Sequence, residues 1–81
     1  MGFIVRIGDR HFVKRTSRHG VGRGVVYSTD QEKEARVWSR KADAEYGAEG
    51  VLHHRNCEWR KKYQTGARAI PEGEVRVVEE R

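Results

Sequence analysis

The sequence predicts a small α+β domain, with an antiparallel sheet of three to five strands and two helices packed on one face. Three observations predict it. Phe3-Ile4-Val5-Arg6-Ile7 and Glu74–Glu79 are short, β-favouring stretches at opposite ends of the chain, the second alternating apolar with charged residues. The middle of the chain, Thr29–Glu49, carries helix-start signals and Ala/Glu-rich helix formers. Gly-containing turns separate these stretches, and there is no repeat, linker or low-complexity block, so residues 1–81 form one domain.

Phe3–Ile7 is the first strand and His11-Phe12-Val13-Lys14 its hairpin partner across Gly8-Asp9. Two registers compete. A two-residue turn puts Val5 opposite Phe12, and a three-residue turn puts it opposite Val13. Either way Phe3, Val5 and Ile7 share a face and belong to the core, whereas the side taken by Phe12 stays open. Arg15–Gly24 is a connecting loop rich in Gly and charge. Its GVGRG run lacks the GK[ST] ending of a phosphate-binding loop and does not open a helix. Val25-Val26-Tyr27 is the third strand.

Thr29 and Glu32 stand in the spacing of a capping box, with Asp30 and Glu32 suited to the positive end of a helix. Ala35, Trp38, Ala42 and Tyr46 then fall on one stripe of a helix spanning about Asp30–Tyr46. Val37-Trp38 favours extended chain, however, and Ser39 offers a second N-cap. The preferred reading is a short turn near Gln31–Ala35, an extended step at Arg36–Trp38, and a helix from Arg40 to about Tyr46. A second helix is predicted from Val51 to Gln64, stopped by Gly66. Its apolar stripe is Leu52, Trp59 and Tyr63, with Ala48 and Asn56 in line and His54, Cys57 and Lys61 on the far side. Ile70–Gly73 is a turn into the last strand.

A hairpin at Phe3–Arg15, a capped turn ending in Ala35, then Val37, Trp38 and Ser39 and a helix bearing Ala42, Ala44 and Glu45 resembles many small phage and prophage proteins. The resemblance spans roughly the first 49 residues and concerns the fold. It carries over no catalytic or binding residue. Most such proteins have no assigned activity, and some of this size inhibit host defence, anti-CRISPR proteins among them; the residues of this chain themselves predict a non-enzymatic protein.

A domain of this length buries roughly 60–65% of its unfolded surface, so its core is small. Cys57 is the single cysteine and has no internal disulfide partner, which suits a reducing cytoplasm, that of a bacterial host if the chain is phage-encoded. No apolar run reaches membrane-spanning length, and Arg6 occupies the position where an N-terminal lipidation motif wants Ser or Thr. The net charge of +5 is unevenly placed: +5 over residues 1–29, −2 over 30–50, +4 over 51–68 and −2 over 69–81.

His53, His54 and Cys57 are the only cluster of metal-ligating residue types, and Cys57 with a nearby His could make an activated thiol. The spacing matches no zinc motif, no cofactor is called for, and a solvated helix face accounts for it as well. The basic segments speak more clearly. Arg15, Arg18 and Arg23 form one candidate cationic rim, and Arg55, Arg60, Lys61 and Lys62 another. Cations that neutralise phosphates supply sequence-independent affinity for nucleic acid. The expected function is a basic binding protein that contacts nucleic acid or a nucleoprotein through these residues. The alternatives are an inhibitor of an acidic host protein and a His/Cys metal or thiol site. Trp59 and Tyr63 could stack on bases only if they leave the stripe assigned to the core.

Overall fold

The computed structural model describes residues 2–16, 26–63 and 69–80. Four strands, β1 (Phe3–Ile7), β2 (His11–Thr16), β3 (Val26–Thr29) and β4 (Val75–Glu79), form one antiparallel sheet in the order β3-β2-β1-β4. One helix, α1 (Lys41–Asn56), covers one face of it, lying on β1 and β4. A six-residue helical segment, α2 (Glu58–Tyr63), packs on α1.

The hairpin adopts the longer turn. Arg6 lies opposite Phe12 and Ile7 opposite His11, leaving Gly8, Asp9 and Arg10 as the loop. Gly8 takes a φ of +63, which a side chain would disfavour, and its N–H donates to the Glu74 carbonyl at 2.9 Å. This register sends Val5, Ile7 and Val13 to the helix side, where Val26, Ala44 and Val51 complete a fully buried cluster. Phe12 goes to the opposite side with Arg6. Strand β4 adds the half-buried Val75 and Val77 to the same face, opposite Ile7 and Val5.

Towards Phe3 the hairpin splays, and the predicted extended step fills the gap. Phe3 and Trp38 exchange two backbone hydrogen bonds of 2.8 Å, while the Arg36 N–H donates to the Val13 carbonyl at 2.9 Å. Here β2 bulges at Lys14, between Val13 and Arg15. The turn before the step is a 3-10 helix over Glu32–Glu34, within the predicted Gln31–Ala35. Thr29 does not act in the predicted capping box. Its hydroxyl accepts the Gln31 N–H at 3.1 Å and donates to Glu34, not Glu32, at 2.9 Å.

The two predicted helices on the sheet are one. Helix α1 passes through Gly47 and Gly50, where two helices were expected to part, and ends at Cys57, whose backbone is extended. Each interior Gly costs about 1 kcal/mol against Ala, a penalty that packing outweighs here. A Cβ on Gly47 would sit 2.9 Å from Trp38 Cζ2, so the missing side chain is what lets the indole lie against the helix. Ser39 is not the N-cap; Arg40 is, without a side-chain bond. Of the predicted stripes Trp38 and Ala48 pack against the core, but other members do not. Ala42 is exposed and Tyr46 is 59% exposed, and Leu52 is 42% exposed, whereas Ala44, Val51 and His54 face inward. The extended chain through Trp38 breaks the phase assumed from Ala35 and Trp38, so α1 takes its own phase from the sheet. The predicted stretch Gln64–Gly66 and the side chains of Trp59 and Tyr63 lie outside the described residues.

Candidate nucleic-acid interface

Alternation along the strands decides which cations share a face. Val26 points into the core, so Tyr27 and the residue opposite it, Arg15, point to the side that α1 leaves open. There the Arg15 guanidinium lies over the Tyr27 ring, 4.6 Å from its centroid. Such an exposed cation–π contact contributes about 0.5–1 kcal/mol, enough to set the side chain's direction. The same face holds Arg6 directly opposite Arg76, beside the pair Ile4 and Val78, and Ile4 and Phe12 on it are buried. Two like charges directly opposite destabilise a sheet. Arg6 donates to the Asp9 carbonyl at 2.9 Å, while its Nε is buried without a partner. A shallow groove of about 410 Å³ beside it is bordered by Arg10, Phe12, Asp30 and Glu32.

The second group of predicted cations is placed differently. Arg55 is half-buried near the end of α1, and its Nη1 and Nη2 donate to the carbonyls of Gly73 and Pro71 at 2.8 and 2.6 Å. It therefore clamps the turn before β4. Lys61 is exposed on α2, with its Nζ 3.4 Å from Glu58 Oε1. Arg55 and Lys61 border one half-open cleft of about 470 Å³, together with His54, Asn56, Ile70 and Glu72. Lys62 is exposed on the same segment. Arg60 falls within α2, but its side chain lies outside the described residues, as do Arg18 and Arg23 entirely.

The His/Cys residues are placed unequally. His53 is exposed, but His54, expected on the far side of its helix, is buried at 4% exposed. The two rings stand edge to face, 5.9 Å apart, and Cys57 is half-buried at the break after α1. Among the described residues no three His, Cys, Asp or Glu side chains come together as metal ligands would. No described helix is long and apolar enough to cross a membrane.

Sequence reasoning missed Arg6, Tyr27 and Arg76 as members of the open face. Each sits next to core residues in a predicted strand, which was the available signal. The register that sets Arg6 against Arg76 joins residues 70 positions apart and leaves no local mark. Comparison with known proteins finds no matching family model, no matching curated protein and no matching solved structure.

Proposed function

We propose that this protein is a small, basic, non-enzymatic binding module of phage or prophage type that engages nucleic acid, or a nucleoprotein, through its phosphates. The observation that carries this reading is the exposed Arg15 held over Tyr27 on the sheet face opposite α1. A guanidinium stacked on a ring keeps its N–H fork free to meet a phosphate in a fixed direction. The chain from Arg15 to Tyr27 adds Arg18 and Arg23, and α2 adds Arg60, Lys61 and Lys62. Arg55 supports the reading less, because its donors already serve two carbonyls.

Fluorescence anisotropy of labelled single- and double-stranded oligonucleotides at several salt concentrations tests it. Binding should weaken steeply as salt rises, and Arg15→Glu should lower the log–log salt slope by about one or more. Absence of binding at low salt would refute the reading, as would an Arg15→Glu variant that binds like the wild type.

A second reading, an inhibitor of an acidic host protein of the anti-CRISPR kind, is favoured by the outer edge of β4, which no strand covers among the described residues and which suits strand addition. It calls for a stable complex with such a protein and no affinity for free oligonucleotides.

A further inference from the structure

The two edges of the sheet are not alike. The β3 edge is four residues long and lies beside the bulge at Lys14, a common way of blunting an edge. The β4 edge is straight. It pairs with β1 through five consecutive positions, Phe3 opposite Glu79 to Ile7 opposite Val75, with no bulge, proline or lysine. Among the described residues no strand lies on its outer side.

The hydrogen bonds say which groups that edge presents. The Glu80 N–H donates to the Gly2 carbonyl and the Glu74 carbonyl accepts from the Gly8 N–H. Residues 74, 76, 78 and 80 therefore turn their backbone groups towards β1, and the N–H and C=O groups of Val75, Val77 and Glu79 point outward. On the helix side a groove of about 500 Å³ beside β4, bordered by Lys41, Glu45 and Glu49, leaves that edge accessible.

We propose that β4 is the seam of a two-fold homodimer, in which β4 of a second copy adds antiparallel with Val78 opposite Val78. The charge pattern selects this register. A two-fold axis normal to the sheet must pass through a residue, because only residues of like parity share a face. An axis through Val77 sets Glu74 against Glu80, and axes through Arg76 or Glu79 set each charge against itself. An axis through Val75 overlaps the turn at Pro71–Gly73. An axis through Val78 sets Arg76 against Glu80 twice and exchanges four backbone hydrogen bonds between Val77 and Glu79 of the two copies. Neither Arg76 nor Glu80 has an ion-pair partner among the described residues. The second copy would thus bring a carboxylate to the guanidinium that faces Arg6.

Sedimentation velocity over a roughly hundredfold range of concentration should show a monomer–dimer equilibrium. Arg76→Glu sets like charges across both ends of the seam and should weaken dimerisation about tenfold, while Arg76→Glu with Glu80→Arg should restore it. Glu79→Pro removes an outward N–H, not one used by β1, and should give a monomer with an unchanged circular dichroism spectrum. A wild type that is monomeric throughout overturns the proposal. So does a dimer indifferent to Glu79→Pro, or one that the double charge exchange fails to restore.

Discussion

Gly47 and Gly50 show how differently two residues of one type can act in one helix. A Cβ at Gly50 meets nothing within 4 Å, whereas one at Gly47 strikes the Trp38 ring. Trp38 cannot easily retreat, because its backbone is bridged to Phe3. Gly50→Ala should therefore raise the unfolding free energy by about 0.5–1 kcal/mol through chain entropy and helix propensity. Gly47→Ala should lower it despite the same gain in propensity. Urea unfolding of the two variants checks the opposite signs. In the sequence both glycines fall in the gap between the two predicted helices, and nothing local says which of them a distant indole occupies. The buried His54 was misread for a similar reason. Its phase depends on where α1 starts, and that start is set by the extended step before it.

At the scale of the element, the stretch from Thr29 to Lys41 was the most legible part of the chain. A short turn, an extended step and a new helix were all read from residue types, and all three are present. The detail of the cap was not. A capping box assumes an α-helix beginning at Asp30, but the 3-10 turn starts later, after an extended Gln31. Glu34 thereby reaches both Thr29 and, at 3.8 Å, Lys14, while Glu32 takes no part. Glu34→Ala should cost about 1 kcal/mol, most of it from the partly buried Thr29 bond, since the Lys14 pair is exposed. Glu32→Ala should stay within about 0.5 kcal/mol of the wild type. Chemical denaturation of the pair distinguishes the two carboxylates, and equal losses would restore the capping box.

For the whole molecule, the small core sets the terms. Among the described residues Val5, Ile7, Val13 and Val51 are its largest fully enclosed side chains, with Phe3 and Trp38 packed half-buried against them. Val5→Ala should cost about 2 kcal/mol. In a domain of this size that lowers Tm by roughly 10 °C, measurable by thermal circular dichroism. The charge blocks also act at this scale. Of the two basic segments, one leaves Arg15 exposed over Tyr27 and the other spends Arg55 on holding the turn before β4. Equal formal charge in the sequence becomes unequal availability in the fold, because a guanidinium committed to two carbonyls has few donors left for a phosphate.

The sequence by itself determined the α+β class, the four strand segments and the break at Arg36–Trp38, because these follow from local periodicity and turn chemistry. Only the tertiary structure decided the hairpin register, the side taken by Phe12 and the merging of two expected helices into α1. Only it set Arg6 opposite Arg76 and left β4 as the open edge. Those outcomes depend on contacts between residues far apart in the chain, where a shift of one position reverses a face and a single ring can settle whether a glycine bends a helix or lets it run on.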